Sequence, residues 1–368
     1  MKYLLVLGND GELQRVEIEA IFGKNNAEKI SDWPLMRVET EKTPDFNILG
    51  GIVKAGEVIG EYDNQEEAIL TIKNKIQEEG IKNFGISGYG VNSGKIFDWC
   101  KEIKKEAQGK IRFNIASEGS LLSNVAVVKK KITEFVLVKT ESKYLLAKTM
   151  WVFDFEEWGK RDFGKPARNI KQGMLTPKAA RMMINLARLF DRGEVTLLDP
   201  FCGTGTILME GTILGYNISG NDLDKEQIER TRKNLEWLGI ENYQLFNTDA
   251  ANVSTMIKPN SIDAIVTEPY LGPLIEAGRE PQEDKIKRII DGLERMYIGC
   301  FHDWQKVLKP QGTIVIVFPA FFIKDKTYRC EKPLDRCESM GYIVTSGPYH
   351  YGYSNAIVKR EIYVLKKS

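Results

Sequence analysis

The sequence predicts a doubly wound α/β sheet in the second half of the chain and a smaller α+β module before it. The first expectation rests on Leu197-Leu198-Asp199-Pro200-Phe201-Cys202-Gly203-Thr204-Gly205-Thr206-Ile207-Leu208. This stretch reads as a buried strand, a turn tight enough to need two glycines, and the start of a helix. It is the nucleotide-binding corner of such a sheet, where a ligand sits off the carboxyl end of a strand. Beyond it, strands and helices alternate as a parallel sheet requires. The second expectation rests on the short apolar runs and turns of the first 55 or so residues and on the mixed helix and strand pattern that follows.

In the first half, strands are expected at 3–7, 35–38 and 48–53, with a helix over 14–22 and a turn at Gly50-Gly51. A helix over 65–79 follows, with Ala68, Ile69, Ile72 and Ile76 at helical spacing. Further elements are strands at 84–89, 112–116 and 135–139 and a helix at 96–107. Residues 141–165 read as a connector whose Trp151, Phe153, Phe155 and Trp158 suit packing between domains better than base stacking. Thr176 is a good N-cap and Pro177 fits the first helical position of a helix to residue 190, with Met182, Met183, Leu186 and Leu189 inward. After the glycine turn come strands at 216–220, 244–247 and 263–267 and a helix at 289–308. A turn at Lys309-Pro310-Gln311-Gly312 leads into a strand at 312–318, and a closing hairpin pairs 342–346 with 357–365.

At 368 residues, two or three domains are expected. Apolar content of 42% and charged content of 28% are those of an ordinary soluble protein. No apolar run approaches the roughly 18 residues of a membrane span, so none is expected. The N-terminal apolar stretch is too short for a signal peptide and reads as a first strand. Cys100, Cys202, Cys300, Cys330 and Cys337 lack C-x-x-C spacing, and His302 and His350 are the only histidines, so no metal site is expected. The odd cysteine count and the absence of a secretion signal favour a reducing cytoplasm.

The glycine turn lacks the third glycine of the dinucleotide fingerprint and the Lys-Ser/Thr pair of a P-loop. It lets the backbone approach a ligand closely, with an acidic residue just before it. Such a residue suits a cation, and S-adenosylmethionine carries a sulfonium and an ammonium. The string D-P-F-x-G-x-G-T resembles motif I of the amino-methyltransferases, which methylate exocyclic amines of nucleobases. The fold this implies is the Rossmann-like sheet of S-adenosylmethionine-dependent methyltransferases. The implied cofactor set is Thr176, Asp199, Pro200, Phe201, Gly203, Gly205 and Thr206, with Asp222 accepting the ribose hydroxyls and Asp249-Ala250 facing the adenine. Asp224 reads as a helix N-cap.

The strand at 263–267 delivers Glu268-Pro269-Tyr270-Leu271-Gly272-Pro273, where that family places D/N-P-P-Y/F/W. In the family a carboxylate or amide and a backbone carbonyl accept the two amine hydrogens, and an aromatic ring stacks on the base. The two acceptors aim the nitrogen lone pair at the methyl group. In this chain the ring stands one place earlier and the carboxylate is one methylene longer. The expected catalytic set is Glu268, Pro269 and Tyr270, in a site rebuilt around the first and last of these; a different substrate or weakened activity are the alternatives.

Phe84-Gly85-Ile86-Ser87 and the segment 121–131 resemble a THUMP domain, which docks the acceptor end of tRNA, here preceded by a small ferredoxin-like domain. The resulting organisation is a ferredoxin-like domain over 1–55, a THUMP-like RNA-binding domain over 56–140, a linker over 141–165 and a methyltransferase domain over 166–368. With the linker Arg161-Asp162-Phe163-Gly164-Lys165-Pro166-Ala167-Arg168-Asn169, the whole resembles archaeal-type tRNA guanine-N2-methyltransferases that modify position 10. The resemblance implies tRNA as partner, read by shape and phosphate contacts, and a guanine that leaves its stack for methylation. Three basic groups then point to phosphates: Lys101, Lys104, Lys105, Lys110 and Arg112; Lys129 to Lys131; and Lys160, Arg161, Lys165, Arg168 and Lys171. An amino-methyltransferase acting on another tRNA or rRNA position or on DNA stays open as an alternative. So do a non-catalytic protein that binds cofactor and RNA, and a need for a small activating subunit.

Overall fold

The computed structural model describes residues 1–8, 11–30, 33–107, 110–168, 175–190, 193–275, 280–323, 326–352 and 356–368. Asn169 and Lys171, named above, lie outside the described residues. The chain divides into two compact units, one of Met1–Asn47 with Gly51–Asp154 and the other of Ile48–Gly50 with Phe155–Ser368.

The first unit is built on β1 (Lys2–Leu7), β2 (Ala27–Lys29), β3 (Leu35–Glu39), β4 (Ile52–Tyr62), β5 (Asn83–Tyr89), β6 (Arg112–Asn114), β7 (Thr133–Lys139) and β8 (Tyr144–Val152). These form one sheet in the order β2-β3-β1-β4-β8-β7-β5-β6. β5 runs parallel to both β6 and β7, and the remaining pairs are antiparallel. Helices Gln65–Glu78 and Ser93–Glu106 start on Asn64 and Asn92, whose side chains accept from backbone N–H groups of the first turn. Their apolar residues, among them Ile69, Ile72, Ile76, Cys100 and Ile103, pack on Phe84, Ile86, Phe135 and Leu137 of the sheet.

The sheet runs through two places where the sequence suggested breaks. β4 crosses the position 55/56 boundary, and β8 occupies the start of the expected connector, paired with β4 from Lys54↔Val152 to Tyr62↔Tyr144. The cause is burial on both faces: Leu145, Leu146 and Ala147 are all buried, so this central strand shows no period-two alternation. The aromatic cluster also divides. Trp151 packs on Phe46 and donates to Asn47 within the first unit, whereas Trp158 stacks under Arg161 in the second.

The second unit carries β9 (Thr196–Asp199), β10 (Asn217–Asn221), β11 (Tyr243–Phe246), β12 (Ile262–Thr267), β13 (Leu308–Ile323), β14 (Lys326–Arg329), β15 (Tyr342–Tyr351) and β16 (Val358–Lys367). Its order is β11-β10-β9-β12-β13-β16-β15, with β14 paired to β13. β9 to β13 are parallel and β16 is antiparallel to both its neighbours. The winding reverses between β9 and β12, which opens a crevice at the carboxyl ends of those two strands. The turn expected at 309–312 is an excursion within β13. Its pairing with β12 jumps from Ile262↔Leu308 to Ala264↔Thr313, and Gln311 takes φ 61°. Helix Glu283–Val307 begins earlier than expected and buries Tyr297, Phe301 and Trp304 against Phe318 and Tyr342. Among the described residues no helix is long and apolar enough to cross a membrane.

Candidate active site

β9 ends on Asp199, and the chain turns at once through Gly203 (φ 53°) and Gly205 (φ 81°) into helix Thr206–Ile213. Both glycines take the left-handed conformation that other residues adopt only at a cost. A Cβ on Gly205 would lie 2.9 Å from Thr231 Cγ2, whereas one on Gly203 would meet nothing within 4 Å. The turn is therefore packed from behind and open in front.

Hydrogen bonds tie this turn to the ends of the next two strands. Asn221, fully buried, donates to Pro200 O (3.1 Å) and Thr248 O (3.0 Å) and accepts from Thr248 N–H (3.0 Å). Cys202 N–H donates to Asn221 O at 2.9 Å. Asp222 accepts from Gly203 N–H and Asp224 N–H, both at 2.9 Å. Asp224 caps helix Lys225–Trp237, the role expected of it. Asp249 is exposed and caps the short helix Ala250–Thr255 through Ala251 N–H (2.9 Å), while buried Ala250 accepts from Trp304 Nε1 (2.9 Å). Thus Asp199, Pro200, Phe201, Gly203, Gly205, Asp222, Asp249 and Ala250 share one rim. Thr176 caps helix Pro177–Leu186, with bonds to Ala179 N–H and the Tyr351 hydroxyl (2.7 Å) rather than to the turn.

Thr206 shows a layer behind the turn that sequence reasoning missed. Its hydroxyl accepts from Lys165 Nζ at 2.8 Å, and Thr204 lies 3.4 Å from the same ammonium. Arg161 Nε donates to Glu210 Oε1 (2.7 Å), Arg181 holds the other oxygen of Glu210, and Asn234 bonds both polar groups of the Ala167 backbone. Asn234 also donates to Thr204 O at 2.8 Å. Arg161 and Lys165 are buried, which corrects the expectation that they contact phosphates. Burial pushes the Lys165 ammonium down to about 8.

The crevice is closed from the β12 side. Thr267 donates to Asp199 Oδ1 at 2.7 Å, which also accepts from Phe201 N–H at 3.1 Å. Glu268 follows directly, and its Oε1 accepts from Arg360 Nε of β16 at 2.5 Å. Pro269 is buried; Tyr270 is 55% exposed, and its carbonyl accepts from the Tyr297 hydroxyl at 2.8 Å. Burial pushes Asp199 up to about 7, against its bonds from Thr267 and Phe201. Burial also raises Asp222 and Glu268; Arg360 opposes the rise at Glu268. Among the described residues no cation is paired with Asp199, and no cluster of three His, Cys, Asp or Glu side chains could hold a metal. A buried carboxylate without a counterion, beside open space at Gly203 and a second carboxylate at Asp222, fits a cationic ligand bearing hydroxyls. S-adenosylmethionine has that chemistry.

Residues 165–321 match the family model described as RMKL-like, methyltransferase domain. The whole chain aligns with the whole of the crystal structure of TrmN from Thermus thermophilus at 15% identity and a TM-score of 0.57. The second unit has the Rossmann-like fold of the S-adenosylmethionine methyltransferases. In sequence, the chain is 32% identical over 159 residues to the tRNA (guanine(10)-N2)-dimethyltransferase of Methanothermobacter thermautotrophicus, which covers 42% of this chain and 44% of that protein. It is 24% identical over 387 residues to the protein of the same name from Pyrococcus abyssi, covering 100% of this chain and 99% of that one.

Proposed function

We propose that this protein is an S-adenosylmethionine-dependent methyltransferase acting on the exocyclic N2 amine of a guanine in tRNA, at position 10. The observation that carries the reading is the pair Asp199 and Glu268, at the carboxyl ends of adjacent strands where the sheet winding reverses. The end-to-end similarity to the Pyrococcus protein supplies the substrate. When bound, the cofactor would supply an electrophilic methyl group to the amine nitrogen. Asp199 holds the cofactor's cationic end, Asp222 its ribose, and Asp249 with Ala250 its adenine. The Glu268 carboxylate and the Pro269 carbonyl accept the two amine hydrogens, and the Tyr270 ring stacks on the base. Glu268, or water beside it, takes the proton that the methylated nitrogen sheds.

The first unit, in this reading, is the THUMP-like RNA-binding part. Lys101, Lys104 and Lys105 on helix Ser93–Glu106, Arg112 on β6, and Lys129, Lys130 and Lys131 are all exposed and support phosphate contacts. A cytoplasmic setting belongs to the same proposal, and the five cysteines, all buried free thiols, are compatible with it.

The test incubates the purified chain with labelled S-adenosylmethionine and unmodified bulk tRNA, with and without cell extract, beside Glu268→Ala. The expected result is label in N2-methylated guanosine that disappears in the variant. Label in another nucleoside overturns the target. Cofactor binding without transfer in either arm overturns catalysis and leaves a cofactor-binding RNA partner.

A further inference from the structure

We propose that Arg360 is a positioning residue for Glu268: it holds the carboxylate ionised and in one rotamer for the substrate amine. The inference rests on the amine-transfer reading above and explains its main anomaly, the carboxylate that is one methylene too long.

The register shows what the extra methylene spans. β13 lies between β12 and β16, with Thr267↔Ile316 on one side and Pro319↔Arg360 on the other. Glu268 and Arg360 therefore start two strands apart, roughly 10 Å at the usual strand spacing. Their side chains meet across β13, Arg360 Nε to Glu268 Oε1 at 2.5 Å. An aspartate at 268 would set its carboxylate about 1.5 Å further from Arg360 Nε. Arg360 is itself fixed. Its neighbour Glu361 points to the opposite face of β16 and is gripped by Arg329 Nε at 2.9 and 3.1 Å and approached by His350 Nε2 at 3.3 Å. Tyr351 stands opposite Arg360 on β15, and its hydroxyl meets Thr176 at 2.7 Å. One oxygen of Glu268 is thus taken up by Arg360, which orients the other toward the crevice.

The electrostatic argument agrees. Burial drives Glu268 toward its neutral form, and the Arg360 guanidinium opposes this by charge and by hydrogen bond. A protonated Glu268 would offer a donor where the amine needs an acceptor. Asp199 on β9, Tyr297 on helix Glu283–Val307 and Tyr270 are the other titratable groups around it. Burial pushes Tyr297 well above its ordinary range, so among the described residues Asp199 is the confounder to control, and saturating cofactor holds it ionised.

The experiment compares wild type with Arg360→Gln and Arg360→Lys in rate against pH at saturating cofactor. In parallel, the Glu268 ionisation is read by 13C carboxyl NMR, with Glu268→Gln assigning the signal. The expected result for Arg360→Gln is an acid limb moved up by about one pH unit or more, hence a roughly tenfold lower kcat at pH values below both limbs. KM for tRNA and cofactor affinity stay within about twofold, the Glu268 signal titrates higher by the same amount, and Arg360→Lys restores part of both. An unmoved acid limb and carboxyl signal overturn the inference; so does a loss of rate that is equal at every pH, which marks a purely structural role. If wild type methylates no tRNA, the functional reading falls, while the NMR comparison still decides whether Arg360 controls Glu268.

Discussion

Replacing Asp199 by Asn separates what this residue does for the fold from what it does for the ligand. Both of its hydrogen bonds, from Thr267 Oγ1 and Phe201 N–H, end on Oδ1. An asparagine can keep both through its own carbonyl while losing the charge. Burial pushes the Asp199 carboxyl from 3.8 up to about 7, so the folded protein binds a proton more tightly than the unfolded chain does. Stability therefore falls as pH rises from about 4 to 7, and the full cost of the buried charge is present above 7. A shift of about three units at 1.36 kcal/mol each is on the order of 4 kcal/mol. For a unit of this size it corresponds to roughly 10 °C in melting temperature. Asp199→Asn without cofactor should thus melt higher than wild type at pH 8, with most of the gap gone at pH 5. Calorimetric titration with S-adenosylmethionine should show the reverse order. Wild-type affinity should fall about tenfold per pH unit below 7, whereas the variant binds more weakly and without that pH dependence. A variant no more stable at pH 8, or a melting gap identical at pH 5 and pH 8, would refute the argument.

Lys165→Met removes the ammonium that joins Thr204 and Thr206, and cofactor affinity should drop about tenfold, worth roughly 1.4 kcal/mol by titration. Since the Lys165 ammonium sits at about 8 rather than 10.5, wild type should gain stability in urea melts between pH 8 and 10.5, and the variant should lack that gain. Glu210→Gln leaves Arg161 and Arg181 buried without their carboxylate and should cost about 3–5 kcal/mol in equilibrium unfolding. Changing Lys129, Lys130 and Lys131 together to Ala should raise KM for tRNA and flatten its salt dependence by about one in log–log slope per lost phosphate contact. Cofactor affinity should not change in that variant, and a matching loss there would place these lysines outside any RNA surface.

The corner of the sheet was legible because its requirements are local. A strand, two glycines at positive φ and an acidic residue must stand within a dozen positions, and Asp199 to Thr206 stand there. The positions of Asp222 and Asp249 were legible for the same reason, each following the next strand in order. The supports were not legible. Asn221 joins Pro200 to Thr248 over 21 and 27 positions, Lys165 reaches Thr206 over 41, and Arg360 reaches Glu268 over 92. No periodicity or spacing marks such pairs, because nothing in the intervening chain depends on them. Arg161 and Lys165 of the third basic group misled because buried and exposed cations look alike in sequence. β8 misled for the opposite reason, since a strand covered on both faces loses the alternation that would reveal it.

The two carboxylates of the crevice share burial but differ in what answers their charge. Glu268 has a guanidinium fixed from β16. Among the described residues, Asp199 has only a hydroxyl and a backbone N–H, and its ionisation is pushed close to neutrality. Where two such groups are driven apart by their surroundings, their roles divide as well. A carboxylate already neutralised gains little from a cationic ligand, yet it remains a good acceptor for the hydrogens of a neutral amine. A carboxylate without a counterion gains most from a ligand that brings one. In the proposed reading, this charge arrangement favours the cationic cofactor at Asp199 and the uncharged amine at Glu268.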